Sequence, residues 1–312
     1  MINELTAEGK VQVTGLITKC DPGRTNKGTP YLSLTLEDKS GVLDCKFWNL
    51  TEEQTSAWKA GMVVHATGDI IIHRNAIQLR IRKLEEVKDA VITDYTREAP
   101  ATCAQMKEEV QSLIASLDSP MYKEVLSDLI GRRETEFFTY PAATRNHHNF
   151  VGGLAWHTLS MARDAQALLP LYPFLDRDLL MAGILLHDYG KTMELSGPLL
   201  TEYTNEGNLL GHISMAAAEV EGAAARLGYE RNEDLVLLEH MILSHHGRLE
   251  YGSPVVPMIP EAEVLNLLDN LDARMYMMEQ ALDTLTPGHF GPRVFPLDNR
   301  MLYKRKEKEN KE

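Results

Sequence analysis

The feature that most constrains the fold is a change of hydrophobic period near residue 89. Before it apolar residues alternate with polar ones; after it they recur at helical spacing. Val11–Ile17 alternates, and Tyr31–Glu37 alternates more strictly. Asp38-Lys39-Ser40-Gly41 supplies a turn into Val42–Trp48. A period of two sends successive side chains to opposite faces of a strand. Leu32, Leu34 and Leu36 therefore share a face, as do Leu43, Cys45 and Phe47, and the opposite face shows Tyr31, Ser33 and Thr35 beside Asp44, Lys46 and Trp48. After a short helical stretch at Glu52–Lys59, strand character returns at Met62–Ile72 and Ala76–Leu84. Short strands in this number, with a helix after the third, follow the order of an OB-fold barrel.

Beyond Asp89 the pattern predicts helices over Ala101–Leu117, Met121–Ile130, Leu154–Leu168, Asp176–His187, His212–Leu227, Glu233–Ser244 and Glu261–Leu285. Ser119-Pro120 is a suitable helix start. The expected architecture is multi-domain. An N-terminal all-β OB-fold barrel occupies residues 1–90, a helical connector 91–150, an all-α domain 151–300, and a charged C-terminal tail 301–312.

Bulk properties narrow the function. The chain is 44% hydrophobic and 25% charged, as ordinary soluble globular proteins are. No apolar run approaches the length of a bilayer span, so no membrane partner is expected. The first residues lack the basic-then-apolar order of a secretion signal. Cys20, Cys45 and Cys103 have no paired spacing, which fits reduced thiols in a cytoplasm. A net charge of −13 argues against a generic nucleic-acid coat protein. Residues 10–90, however, carry twelve Lys/Arg against ten Asp/Glu, leaving −15 for the rest. A mildly basic binding module on an acidic catalytic body has such a distribution. No Gly-x-Ser-x-Gly, Walker loop or dinucleotide fingerprint occurs.

The chemistry concentrates in the helical part. His187-Asp188 ends the apolar run Leu179–Leu186, where an inward polar pair needs a partner to offset its burial. A metal is such a partner, because imidazole nitrogen and carboxylate oxygen together suit Mn, Fe, Zn or Ni. A carboxylate can hold two cations at once, which makes Asp188 the natural bridge. His157, on a helix entered through Val151-Gly152-Gly153, would close a first metal with His187 and Asp269; His212, His245 and His246 would serve a second. Two cations roughly 3.5–4 Å apart can grip a phosphate for in-line phosphoester hydrolysis. Lys191, three residues after Asp188, could neutralise a phosphoryl oxygen. A single His beside an apolar face is more often a core or capping residue, so His65, His73, His240 and His289 stay unassigned. Adjacent helical histidines point about 100° apart, so His245 and His246 need not both bind. His147-His148 is either surface or, as the favoured reading, a loop at the site mouth with His148 a substrate contact. Tyr31 and Trp48 are either exposed barrel aromatics or, with Lys46, a surface on which bases could stack.

The chain resembles the HD-domain phosphohydrolases through His157, His187-Asp188 and an Asp in Asp269-Asn270-Leu271-Asp272-Ala273. It is more similar to one branch, the YhaM-type 3′→5′ exoribonucleases of bacteria, which place an OB-fold before the HD domain. The segments Asn146–His157, His187-Asp188-Tyr189-Gly190-Lys191, Glu206–His212, Leu243–Gly247, Tyr251-Gly252-Ser253-Pro254 and Leu268–Arg274 carry the likeness nearly end to end. The resemblance implies that residues 151–300 form an HD domain. It also implies metal-dependent degradation of single-stranded RNA, or ssDNA, from the 3′ end to nucleoside 5′-monophosphates. Two divalent ions are implied, Mn²⁺ first, with Co²⁺, Fe²⁺, Ni²⁺ or Zn²⁺ as alternatives, and so is a homo-oligomer. Related HD proteins that cleave cyclic dinucleotides share these elements, and they lend the second-ion assignment. Hydrolysis of nucleotides or cyclic dinucleotides is therefore the alternative activity. Those relatives often carry a Glu four residues before the first His ligand. This chain has Gly153 there, which speaks against a third ion. The family pattern favours Asp269 over Asp272 as the ligand, and both stand on one expected helix.

Overall fold

The alternating segment closes into a barrel because one long strand serves two neighbours. In the computed structural model, strand β1 (Gly9–Arg24) pairs with β4 (Val63–His73) through its first half, from Gly9↔Ile70 to Leu16↔Val63. Its second half pairs with β2 (Pro30–Asp38), with the register shifting between Ile17 and Lys19. A bulge there lets the strand bend. β3 (Gly41–Phe47) runs antiparallel to β2 and parallel to β5 (Ala76–Glu86), giving the closed order β1-β2-β3-β5-β4. Helix α1 (Glu52–Ser56) lies between β3 and β4 in sequence. Thr51 caps it and accepts from Gln54 N at 3.2 Å. Leu32, Leu34, Leu36, Leu43 and Cys45 fill the interior, none more than 2% exposed, and each buried aliphatic side chain contributes about 1.5–3 kcal/mol. Register places Ser33 opposite Lys46 and Thr35 opposite Asp44 on the outer face.

The structure describes all residues except 6–7, 74, 145–147 and 307–312. It divides into two compact units, Met1–Arg97 with Met277–Glu312, and Glu98–Tyr276. Helices α2 (Cys103–Ala115), α3 (Pro120–Arg132), α4 (Glu134–Thr139), α5 (Gly153–Leu168), α6 (Arg177–Leu186), α7 (Lys191–Glu194), α8 (Asn205–Arg226) and α9 (Glu233–Ser244) build the second unit, together with most of α10 (Pro260–Asp283). Helix α6 is buried along its length, from Leu179 at 3% to Leu186 at 0% exposed. Such a helix is apolar all round because other helices cover every face. Ser119 and Pro120 start α3 as expected, and Asp176 caps α6 by accepting from Asp178 N and Leu179 N.

The expected domain boundaries differ from these units. Residues 98–150 are not a connector: Met106, Val110, Leu126, Leu129 and Phe137 belong to the same apolar core as Leu159 and Leu185. Their helices carry apolar stripes that must be covered, and α5 and α6 cover them. Residues after Met277 group with the barrel. There Asn75 Nδ2 donates to Phe290 O at 2.8 Å and Ile77 N to Thr284 O at 3.3 Å. The start of the expected tail is a strand, since β7 (Arg300–Tyr303) pairs with β6 (Phe290–Val294). The end of that tail, residues 307–312, lies outside the described residues, as does His147.

Candidate metal centre

Polar side chains from α5, α6, α8, α9 and α10 converge where the apolar core ends. Gly152, with φ 79°, starts α5, and a Cβ on Gly153 would collide with the His148 carbonyl oxygen. Only glycines let the chain enter so tightly, and they bring His157 into the core at 0% exposure. His187 caps the C-terminus of α6 and Asp188 follows it, at 0% and 3% exposure. In α8 a break at Gly211, φ 71° and ψ 149°, precedes His212 and redirects the helix. The α9 helix stops at His245, so His246 lies beyond its last turn and the pair escapes the helical divergence. Both His245 and His246 stand with His212 in one group whose donor atoms are all within 4.8 Å of one another.

The carboxylate of Asp188 stands between two sets of partners. Its Oδ2 is 3.3 Å from His187 Nε2, 3.9 Å from His157 Nε2 and 2.6 Å from Lys191 Nζ. Its Oδ1 is 3.5 Å from His212 Nε2 and 3.7 Å from His245 Nε2. Asp269 Oδ1 approaches His157 Nε2 at 3.2 Å, completing a group of His157, His187 and Asp269. The outward nitrogens are engaged elsewhere. His187 Nδ1 bonds Ile184 O, His245 Nδ1 bonds Ile242 O and His246 Nδ1 bonds Tyr251 O, at 2.8, 2.7 and 2.7 Å. With its Nδ1 donating to an acceptor, a neutral imidazole presents a lone pair at Nε2. His187 Nε2, His212 Nε2, His245 Nε2 and Asp188 Oδ1 are buried without hydrogen-bond partners. Orphaned acceptors of this kind are costly unless a cation satisfies them. Nitrogen and carboxylate donors in this mixture suit a divalent transition metal.

Electrostatics agree with strong coupling. Burial would push the Asp188 carboxyl up, yet Lys191 and His187 hold it well below the usual range. Burial would lower Lys191, but the Asp188 charge raises it. Burial alone would also lower His157; its hydrogen bonds to Asp269 and Asp272 instead raise it to about 10. His245 goes the other way, depressed by burial and by His246 and His187 beside it.

One expectation changes here. His148 is not at an open mouth: it is 3% exposed, its Nε2 is 2.6 Å from Asp272 Oδ2, and its ring packs 4.4 Å from that of Tyr276. Asp272 faces the other nitrogen of His157, Nδ1, at 2.6 Å, while Asp269 faces Nε2. Sequence reading passed over Glu194, whose Oε1 accepts from His212 N at 3.0 Å and lies 3.1 Å from His212 Nδ1. A carboxylate eighteen residues from its partner leaves no periodic signal. Two of the unassigned histidines have structural partners: His65 Nδ1 pairs with Thr14 Oγ1 at 2.8 Å, and His240 Nε2 accepts from Met258 N at 3.0 Å.

On the barrel, Tyr31, Lys46 and Trp48 come together, all half-buried. The two rings stand 4.5 Å apart at 35°, and Lys46 Nζ donates to Ser33 Oγ at 2.6 Å while lying 5.3 Å from the Tyr31 ring centre.

Comparison with known proteins matches residues 154–274 to the HD domain and residues 11–87 to an OB-fold nucleic acid binding domain. The HD match brings divalent-metal binding with it. A 3′-5′ exoribonuclease YhaM from Geobacillus sp. (strain WCH70) is 44% identical over 298 residues, covering 95% of this chain and 92% of the relative. Among solved structures, the single-stranded DNA binding protein from Thermus aquaticus aligns with 31% of this chain and 45% of its own at 20% identity and a TM-score of 0.24. The second OB-fold domain of replication protein A from Methanococcus maripaludis aligns with 29% of this chain and 96% of its own at 15% identity and a TM-score of 0.23. No helix among the described residues is long and apolar enough to cross a membrane.

Proposed function

The chain belongs to the family of YhaM 3′-5′ exoribonucleases, and we propose that it shortens single-stranded RNA from the 3′ end using two divalent cations held on either side of Asp188. One ion would take His157, His187, Asp269 and Asp188 Oδ2; the other would take His212, His245, His246 and Asp188 Oδ1. The observation that carries this reading is the division of one carboxylate. Oδ2 lies 3.3 Å from His187 Nε2, and Oδ1 lies 3.5 Å from His212 Nε2. Mn²⁺ is the first choice on the family resemblance, and the donor set also accommodates Co²⁺, Fe²⁺, Ni²⁺ or Zn²⁺.

Bound there, such a pair supplies an activated water and a grip on the phosphoryl oxygens. The protein's own residues orient and balance charge. Asp188, fixed by Lys191 Nζ at 2.6 Å, keeps the two halves in register. The buried Lys191 ammonium adds positive field where charge gathers on the phosphoryl group. Attack at phosphorus with the 3′ oxygen of the preceding nucleotide leaving keeps the phosphate on the released residue, so the product is a nucleoside 5′-monophosphate. Nothing in this donor set reads a base, so sequence preference is weak. Tyr31, Lys46 and Trp48 would hold the single strand on the barrel by stacking and charge. The free thiols of Cys20, Cys45 and Cys103 suit a reducing cytoplasm.

The test is a 5′-labelled single-stranded RNA of about 20 nucleotides, a length that suits an OB groove, incubated with Mn²⁺ or with chelator. A metal-dependent ladder receding from the 3′ end, with nucleoside 5′-monophosphates released, is the expected result. Intact RNA beside rapid hydrolysis of a cyclic dinucleotide would move the chain to the alternative activity.

A further inference from the structure

Two histidines of the cage differ from the others in what stands behind them. His187, His245 and His246 rest their Nδ1 atoms on backbone carbonyls, which carry no net charge. His157 and His212 instead have carboxylates at Nδ1: Asp272 Oδ2 at 2.6 Å and Glu194 Oε1 at 3.1 Å. One belongs to each half of the cage. A carboxylate behind a ligating imidazole fixes the tautomer, holds the ring plane and makes the far nitrogen a stronger donor.

Both carboxylates are themselves held. Asp272 Oδ2 is also 2.6 Å from His148 Nε2, and His148 packs against both Phe150 and Tyr276 at ring separations of 5.6 and 4.4 Å. Glu194 is 7% exposed and also accepts from the backbone N–H of His212 at 3.0 Å, so ring and main chain hang on one oxygen. His148, His157 and Asp272 could be taken for a third cation site, since their donor atoms cluster. The spacing argues otherwise. Ligand atoms about one transition metal at ~2.0–2.1 Å each stand roughly 3.3 Å apart, whereas Asp272 Oδ2 lies 2.6 Å from both imidazole nitrogens, as hydrogen bonds do.

We propose that Asp272, braced by His148, and Glu194 are positioning residues, one for each ion, which set His157 and His212 as Nε2 donors. The inference rests on the two-ion reading above and adds that the two affinities can be changed separately. Asn and Gln can occupy these places with an amide oxygen toward the same donors, so Asp272→Asn and Glu194→Gln remove the charge while preserving shape.

The experiment titrates metal-free full-length protein with Mn²⁺ against a chelating indicator, without RNA, with urea unfolding as the check that each variant folds. Asp272→Asn is expected to weaken one of two binding steps by ~10–100-fold and to leave the other unchanged; Glu194→Gln is expected to weaken the other step. In a His212→Ala background only one step should remain. Asp272→Asn should still weaken it, while Glu194→Gln should have no further effect, a pattern that general loosening of the fold would not produce. Two steps that neither variant moves, or equal loss of both steps from either one, would overturn the positioning roles and leave the two-ion reading intact. A wild-type protein that takes up a single ion would overturn both.

Discussion

The two units treat polar side chains in opposite ways. On the barrel, the residues suited to a ligand lie outside a core they do not need: Trp48 and Lys46 each pack on the Tyr31 ring, all three half-buried, over an interior of leucines. In the helical unit the suited residues are inside. His157, His187 and His245 are 0% exposed, Asp188 3% and Lys191 8%. A surface patch changes one residue at a time, at small cost to the fold. A buried cage is coupled, because each charge or lone pair depends on its neighbours for compensation. On the proposed reading the difference separates binding from chemistry: changes on the barrel would tune affinity, and loss of one carboxylate from the helical unit would abolish activity.

Predictions follow from the strength of that coupling. The largest effect belongs to Asp188→Ala, which should lower RNA hydrolysis by at least about 10³-fold, the scale of losing a preorganised charge site. The loss should be the same on a long RNA and on a dinucleotide. Activity within tenfold of wild type would mean that Asp188 is not shared by the two halves. The same substitution strands the buried Lys191 ammonium. In chelator, where no cation contributes, urea unfolding should show a loss of ~3–5 kcal/mol, as for a buried pair with one partner removed. A stability unchanged to within about half a kcal/mol, as for a surface substitution, would show that water reaches Lys191 freely.

On the barrel the effects should be smaller and selective. Trp48→Ala should weaken binding of a long RNA by about 5–150-fold, equivalent to ~1–3 kcal/mol of lost stacking, while hydrolysis of a dinucleotide continues at its normal rate. Equal losses on both substrates would erase the contrast and make Trp48 a structural residue. The smallest change is expected from Lys46→Ala. Affinity should fall a fewfold and the salt dependence of RNA binding should become shallower by about one unit, as for one lost phosphate contact. An unaltered slope would assign the Lys46 ammonium to Ser33 and the Tyr31 ring alone.

Much of this contrast is legible before any coordinates. The barrel follows from period-two alternation in Tyr31–Glu37 and Val42–Trp48, where each strand declares its own faces. The cage is legible for a different reason: His187 and Asp188 stand where an apolar helix would otherwise continue, and a buried polar pair demands a partner. What stays hidden is decided by tertiary neighbours. Whether Asp269 or Asp272 faces the cage depends on which nitrogen of His157 each meets, and a helical spacing of three does not specify that. Glu194 finds His212 only after Gly211 breaks α8. His148 reads as a site-mouth residue because the rings that bury it, Phe150 and Tyr276, are unremarkable or distant in sequence. The assignment of helices α2–α4 to the HD core, and of residues after Met277 to the barrel unit, likewise depends on which apolar faces meet.

The sharing of Asp188 is open to direct measurement by metal analysis of protein purified without chelator. Wild type should carry two equivalents of divalent transition metal, His212→Ala about one, and Asp188→Ala none, with all three folded by circular dichroism. One firmly held equivalent in wild type, unaffected by His212→Ala, would contradict a cage divided between the two oxygens of Asp188.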